Sequence, residues 1–289
     1  MIKFYSPLRY PGGKQKLAEF IERICIDNRI SGHYVEPYAG GASIALHLLL
    51  TGRVREITIN DLDKAIYAFW WSVKNEPTEL CQKIETTAIT ITEWKKQKMI
   101  LTNKKNEIDF LRLGFATLFL NRTNYSGVLN GGVIGGVNQA NKYRIDCRFN
   151  KASIIEKIRA IASHASKINV MNLDAVELIS GIERDRNTIF YFDPPYFVKG
   201  QSLYMNHYRY DDHQAVSEKI KSIRNAQWIV SYDDVLDIRE LYSDCNTFNY
   251  QLRHCARSSR VGKESLFFSR GLVVGEESKK QLVGAEKNE

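Results

Sequence analysis

The sequence predicts an α/β fold in which a doubly wound sheet carries an inserted, mainly helical region. Short apolar strands alternate with amphipathic helices over the first 75 residues, the alternation stops over residues 76–165, and it resumes at residue 168. We therefore expect a main domain built from residues 1–75 and 166–275 and an insert over residues 76–165. The charged residues of 276–289 predict a mobile tail.

The hydrophobic spacing locates the individual elements. In the first part of the main domain, the predicted elements are a helix over 14–27, a strand over 33–36, a helix over 43–50, a strand over 56–60 and a helix over 62–74. In the second part, the predicted strands are 168–173, 187–192, 227–231, 247–252 and 265–268. This β-α-β-α order is typical of a doubly wound sheet.

The insert combines helical segments with a long polar loop. Residues 106–120 and four isoleucines between positions 154 and 161 follow helical spacing. Between these segments, a glycine-rich loop begins with Asn121-Arg122-Thr123-Asn124-Tyr125-Ser126-Gly127. A loop of this length inside a compact domain is usually functional or disordered.

The composition of the 289-residue chain argues against several classes of protein. The longest apolar stretch is too short to cross a membrane, and residues 1–7 contain no apolar signal region, so we expect a cytoplasmic protein. The five cysteines have no Cys-x-x-Cys spacing, which argues against a zinc site or a disulfide framework. The net charge of +8 favours a polyanionic partner, and nucleic acid is the commonest.

The most informative motif is Asp193-Pro194-Pro195-Tyr196, directly after the strand predicted at 187–192. Ligands bind at the carboxyl ends of strands in open α/β sheets. The two prolines fix φ and lack an N–H, so the chain leaves the strand in a stiff conformation. The Asp193 carboxylate and the Pro194 carbonyl can each accept an N–H from an amino group on a planar base, and the Tyr196 ring can stack on that base. The alternative is a proline turn with a chance tyrosine.

Three earlier motifs suit a bound anion or cofactor, and the first two equally fit a glycine-rich helix entry with an exposed Lys and a common glycine turn. Arg9-Tyr10-Pro11-Gly12-Gly13-Lys14 precedes a helix, and its glycines allow backbone N–H groups to approach an anion. The turn Glu36–Ser43 joins a strand to a helix, where a cofactor can lie against the backbone. Asp61 follows the second strand about 20 residues after this turn, so it can accept the hydroxyls of a ribose. It can equally cap the next helix.

In this order, the motifs closely resemble those of the Dam-like DNA adenine-N6 methyltransferases. The matching stretches are Tyr10–Lys14, Glu36–Ser43, Asn60-Asp61, Asn121–Gly127 and Asp193–Tyr196, with a weaker match from Arg257 through Glu264. The resemblance implies a Rossmann-like methyltransferase sheet that uses S-adenosylmethionine (SAM), with residues 76–165 as the DNA target-recognition region. Many relatives have Trp where Tyr10 stands and Gly where Ala42 stands.

The resemblance also implies roles for individual residues. The catalytic residues would be Asp193, Pro194 and Tyr196. The SAM-binding residues would be Tyr10, Lys14, Glu36, Pro37, Tyr38, Gly40, Asp61 and Asp193. The DNA-binding residues would be Arg9, Asn121, Arg122, Asn124, Tyr125 and Ser126. The enzyme would flip adenine out of double-stranded DNA and methylate its N6 amine without a metal, as a monomer or weak dimer associated with the nucleoid.

Other functions fit parts of the sequence. The Asp193 motif alone also suits cytosine N4, RNA adenine or protein glutamine as the methyl acceptor. A non-catalytic DNA-binding protein could share the same fold. A phosphate-transfer enzyme could use Gly12-Gly13-Lys14, although Gln15 stands where a P-loop has the Ser or Thr that binds magnesium. The resemblance leaves open whether the enzyme acts alone or with a restriction nuclease.

Overall fold

The computed structural model describes residues 5–9, 17–182, 185–197, 208–254 and 260–284. The helices of these ranges are α1 Ala18–Asp27, α2 Ser43–Leu50, α3 Lys64–Asn75, α4 Pro77–Thr86, α5 Ile91–Thr102, α6 Phe110–Thr123, α7 Lys151–Ala162, α8 Ala175–Gly181, α9 Tyr210–Lys221, α10 Leu236–Leu241 and α11 Glu276–Gly284. The strands are β1 His33–Glu36, β2 Glu56–Asn60, β3 Ile168–Met171, β4 Thr188–Phe192, β5 Gln227–Asp233, β6 Asn246–His254 and β7 Arg260–Phe268. Short 3₁₀ helices occupy Tyr125–Gly127 and Ala165–Lys167.

The strands form a seven-stranded sheet in the order β3-β2-β1-β4-β5-β7-β6. Strand β1 pairs in parallel with β2 and β4, and β4 pairs in parallel with β5. The last two strands form an antiparallel hairpin whose β7 pairs with β5. The predicted Rossmann-like α/β fold is therefore confirmed.

The central strand β4 is buried along its whole length, because its apolar side chains face other elements on both sides of the sheet. The rings of Phe190 and Phe192 stack with their centroids 5.7 Å apart. Burial of each such ring contributes about 2–3 kcal/mol, so β4 is a rigid base for the segment that follows it.

The chain divides into two compact units. The first contains the described part of Met1–Gly13 together with Asp61–Asn172, and the second contains the described parts of Lys14–Asn60 and Leu173–Glu289. The first unit is larger than the predicted insert of 76–165, because it also takes in α3 and β3.

Close packing of α3 on α6 explains this difference. The Thr117 hydroxyl donates to the Ala65 carbonyl at 3.0 Å, and the Ser72 hydroxyl donates to the Phe110 carbonyl at 3.0 Å. Gly114 makes the close approach possible, since a Cβ atom there would lie 2.5 Å from the Ser72 hydroxyl. Helix α3 therefore belongs with the inserted helices.

Part of the predicted mobile tail is helical. Helix α11 packs against α1, with Ser278 and Leu282 buried. The Ser278 hydroxyl donates to the Asp27 carboxylate at 3.4 Å. The remaining predicted tail, 285–289, lies outside the described residues. Over the described ranges, no helix combines the length and the hydropathy that a membrane span requires.

Candidate active site

Asp193 follows the last residue of β4, and the neighbouring strand β5 orients its carboxylate. The Ser231 hydroxyl donates to Asp193 Oδ1 at 3.1 Å. The same hydroxyl lies 2.8 Å from the phenol oxygen of Tyr191, inside the core of the second unit. Because β4 and β5 are parallel, their carboxyl ends meet at one edge of the sheet. The Asp193 carboxylate is thus held in place by Ser231 of the adjacent strand β5.

Two further side chains hold the residues after Asp193. The backbone N–H of Phe197 donates to Asp233 Oδ1 at 3.0 Å. The Tyr196 hydroxyl donates to Glu264 Oε1 at 2.8 Å, and the Tyr196 ring is buried. Strands β5 and β7 therefore fix the segment that the two prolines stiffen.

Ser231, Asp233 and Glu264 also belong to this site, although the sequence motifs did not indicate them. A signal for the first two was present, because polar residues follow the apolar run of 227–230 directly. Parallel strands end at the same edge, so these polar groups had to lie near the Asp193 motif. The register that brings Glu264 opposite Asp233 depends on the antiparallel β7 and was not readable from the sequence.

The Glu36–Ser43 turn adopts a left-handed backbone at two positions. Gly40 has φ +46° and Ala42 has φ +47°. Ala42, which precedes α2, thus stands in a conformation that favours glycine, at the position where many relatives have glycine. An alanine in this conformation costs about 1–2 kcal/mol, so the surrounding turn must compensate.

Glu36 is a buried carboxylic acid at the end of β1. Burial raises its pKa well above the usual value; the Ala45 N–H, 3.3 Å from Oε2, opposes this rise, and the negative charge of Asp193 adds to it. Buried acids with a raised pKa are enriched at binding and catalytic sites.

Asn60 fixes the backbone around this turn. It is buried at the end of β2, and its amide nitrogen donates to the carbonyls of Pro37 and Leu173 at 2.9 and 3.0 Å. Its amide oxygen accepts the Leu173 N–H at 2.9 Å. Farther along the turn, the hydroxyls of Tyr38 and Tyr208 lie 3.0 Å apart.

Asp61 does not cap α3. The N-cap is Asp63, whose carboxylate accepts the Ala65 N–H at 2.9 Å. Asp61 Oδ1 instead accepts the N–H of Asp63 at 2.9 Å. In the first unit, the Asp61 backbone is tied to Met171 and Asn172.

The predicted SAM-binding residues Tyr10 and Lys14 lie outside the described residues. The other predicted SAM-binding residues of the second unit lie around a left-handed turn at the N-terminus of α2, and they include two acidic side chains, Glu36 and Asp193. Acidic side chains beside a left-handed turn suit a ligand that carries a positive sulfonium, an amino acid and a ribose. The residues present therefore fit SAM.

Among the predicted DNA-binding residues, Asn121 is fully engaged inside the first unit. Its amide oxygen accepts the Arg9 N–H at 2.7 Å, and its amide nitrogen donates to the carbonyls of Arg9 and Gly127. Gly127 has φ +76°, and a Cβ atom there would lie 2.2 Å from the Arg9 carbonyl oxygen. Asn121 and Gly127 therefore hold residues 5–9 against the loop.

Asn124 and Arg122 also make internal hydrogen bonds. Asn124 accepts from the Trp94 indole at 2.7 Å and donates to the carbonyls of Val128 and Leu129. The Arg122 guanidinium donates to the Pro7 carbonyl. The side chains of Tyr125 and Ser126 are exposed, although the Tyr125 hydroxyl also accepts the Gly135 N–H at 3.1 Å.

Arg9, Arg122 and Lys157 form a cationic cluster in the first unit. Burial lowers the pKa of Arg122 to about 10, with a further contribution from the positive charge of Arg9. Burial and the charge of Arg122 lower the pKa of Lys157, and burial and the charge of Arg148 lower that of Arg9. Arg9 Nη1 is buried and finds no hydrogen-bond partner among the described residues. These cations repel each other, so a bound anion would relieve an unfavourable arrangement.

A Rossmann-like sheet with an Asp-Pro-Pro-Tyr segment at the end of its fourth strand places the protein among the α/β methyltransferases. The family model described as D12 class N6 adenine-specific DNA methyltransferase matches residues 10–254, and the chain belongs to this family. The protein is thus an adenine-specific DNA methyltransferase.

Individual relatives are distant. The chain is 21% identical over 220 residues to the type II methyltransferase M.MjaIII of Methanocaldococcus jannaschii, covering 71% of this chain and 73% of the relative. Two structures of the rRNA methyltransferase aviRa from Streptomyces viridochromogenes are similar to the present chain, with TM-scores of 0.39 and 0.40 and identities of 13% and 12%. The first match covers 93% of this chain and 89% of aviRa, and the second covers 90% and 86%.

Proposed function

We propose that the protein transfers the methyl group of SAM to the N6 amine of adenine in double-stranded DNA. The observation that carries this proposal is the Asp193 carboxylate at the carboxyl end of β4, oriented by the Ser231 hydroxyl. The stiff Pro194-Pro195 backbone follows it, so acceptor groups stand at fixed positions before the substrate arrives.

The chemistry that these groups must promote follows from the electronic structure of adenine. The lone pair of N6 is delocalised into the ring, so the amine is a poor nucleophile. The Asp193 carboxylate and the Pro194 carbonyl would each accept a hydrogen bond from one N–H of this amine and favour a pyramidal nitrogen, whose lone pair is then available. When bound, SAM supplies a methyl group activated by its sulfonium. The protein therefore contributes mainly orientation and charge stabilisation.

SAM would be held by residues from several motifs. The turn Glu36–Ser43, including Pro37, Tyr38 and Gly40, would cradle it, and Asp61 would accept its ribose hydroxyls. Tyr10 and Lys14 would complete the site. The left-handed turn and the buried Glu36 support this assignment, because both features lie at the end of β1.

DNA would bind through the first unit. The cluster of Arg9, Arg122 and Lys157 supports this assignment, because a phosphodiester supplies the negative charge that the cluster lacks. Asn121 and Asn124 would act by shaping the loop, which leaves Tyr125 and Ser126 to face the duplex. The target adenine would leave the duplex and stack on Tyr196.

Nucleoside mass spectrometry after reaction with SAM tests the proposal. Duplex DNA treated with the wild-type protein should contain N6-methyladenine, and Asp193→Ala should lower the rate by about 10³-fold or more. Asp185→Ala is the matched control, because Asp185 lies at the amino end of the same strand, where it accepts from the Thr188 hydroxyl. This control should stay within about twofold of wild type. N4-methylcytosine as the product, or methylation of RNA but not DNA, would overturn the proposal.

A further inference from the structure

Glu264 is a buried carboxylate on β7 that accepts hydrogen bonds from two tyrosines. Its side chain is only 1% exposed. The Tyr196 hydroxyl donates to Oε1 at 2.8 Å, and the Tyr250 hydroxyl donates to Oε2 at 2.6 Å. One donor therefore belongs to the Asp193 motif, and the other belongs to the strand β6.

The sheet register makes this arrangement rigid. Glu264 lies opposite Asp233 of β5 and opposite Tyr250 of β6. Burial raises the pKa of Tyr250 well above its usual value, and the charge of Glu264 adds to the rise. The Tyr250 phenol thus stays protonated and remains a donor. Removing an acceptor from such a site is costly, since two buried hydroxyls lose their partner.

We propose that Glu264 is a positioning residue for methyl transfer, acting through Tyr196. This inference rests on the proposed function, in which the Tyr196 ring stacks on the flipped adenine. The prolines fix the Tyr196 backbone and leave the orientation of its buried ring to the contacts of the side chain. The hydrogen bond to Glu264 fixes the tilt of the ring, so that the stacked base presents its N6 amine to Asp193. A ring tilted differently would still stack, but the amine would be misplaced.

A double-mutant cycle between Tyr196→Phe and Glu264→Met tests the link. Methionine has a similar length but accepts only weakly, and Glu264→Gln is the conservative variant that keeps an acceptor. The readouts are single-turnover methylation at saturating SAM and duplex, 2-aminopurine fluorescence at the target base, and DNA affinity. Circular dichroism at the assay temperature shows that each variant is folded.

Glu264→Met and Tyr196→Phe should each slow methyl transfer by about tenfold, because the reacting groups lose alignment. The double variant should be no slower than either single variant, since both remove the same hydrogen bond. Glu264→Gln should stay within about threefold of wild type, and DNA affinity should change by less than about threefold in all variants. Tyr250→Phe is the matched control: it removes the other hydrogen bond to the same carboxylate, and its rate should stay within about twofold of wild type.

The inference is overturned if the two substitutions slow the reaction multiplicatively, if Tyr250→Phe slows it as much as Tyr196→Phe, or if Glu264→Met reacts at the wild-type rate. Failure of the proposed function looks different: the wild-type protein itself would then form no N6-methyladenine.

Discussion

The two units hold their motif segments by opposite means. In the second unit, the side chains that hold Asp193–Phe197 come from neighbouring strands, namely Ser231, Asp233 and Glu264. In the first unit, Asn121 and Asn124 hold their own loop and the arm of residues 5–9. The Asp193 motif is therefore held by side chains of other strands, and we call its residues presenting residues. The asparagines of the loop motif themselves hold the backbone, and we call such residues supporting residues.

Substitutions of supporting and presenting residues should therefore have different effects on stability and on the reaction rate. A supporting residue that is buried and multiply bonded should affect stability first, because its loss leaves polar backbone groups unpaired. A presenting residue should affect the reaction and leave the fold intact. Membership of a family motif does not distinguish these two roles, but the hydrogen bonds of the side chain to backbone groups do.

The largest effect on stability is expected for Asn121→Ala. The substitution removes hydrogen bonds to both backbone groups of Arg9 and to the Gly127 carbonyl. The free energy of unfolding should fall by about 2–4 kcal/mol in urea titration. Asn130→Ala is the control on the exposed part of the same loop, and its free energy of unfolding should change by less than about 0.5 kcal/mol. If Asn121→Ala were as stable as wild type but bound DNA weakly, Asn121 would contact the DNA rather than hold the backbone of Arg9.

A smaller effect, which depends on pH, is expected for Glu36→Gln. The pKa of Glu36 is raised in the folded protein, above a value near 4.5 when unfolded. The unfolded chain therefore loses this proton first as pH rises, and the wild-type protein loses stability between the two pKa values. Gln does not ionise, so Glu36→Gln should have a higher free energy of unfolding than wild type at pH 8. The difference between the two proteins should be smaller at pH 4, where Glu36 is largely protonated in both states. Urea unfolding of both proteins at pH 4 and pH 8 measures these free energies. If the variant and the wild type differed by the same amount at the two pH values, the pKa of Glu36 would not be raised by folding.

Much of the fold was predictable because it rests on local patterns. The strands β1, β2, β4 and β5 and the helix α2 lie where apolar runs and glycine turns placed them. Helices α4, α5 and α9 were not located, since their buried residues are few and their faces largely polar. The tail helix was missed because two buried side chains, Ser278 and Leu282, are too weak a pattern to detect.

In the candidate site, the sequence predicted where Asp193 lies but not the side chains that hold it. The position of Asp193 followed from the strand before it and the prolines after it. Glu264, which holds Tyr196, lies 68 positions away from that tyrosine in the sequence. The engagement of Asn121 with Arg9 spans 112 positions. Such pairings are set by register and packing, which a single sequence does not encode locally.

The most direct test of this division compares Arg9→Ala with Asp193→Ala in two measurements on the same samples, DNA affinity by fluorescence anisotropy and single-turnover methylation at saturating DNA. Arg9→Ala should weaken DNA binding by about tenfold but keep the rate within about threefold of wild type, because a phosphate contact is lost. Asp193→Ala should keep DNA affinity within about threefold of wild type and abolish methyl transfer. The account would be contradicted if Arg9→Ala stopped the reaction at saturating DNA, or if Asp193→Ala weakened DNA binding as much as Arg9→Ala does.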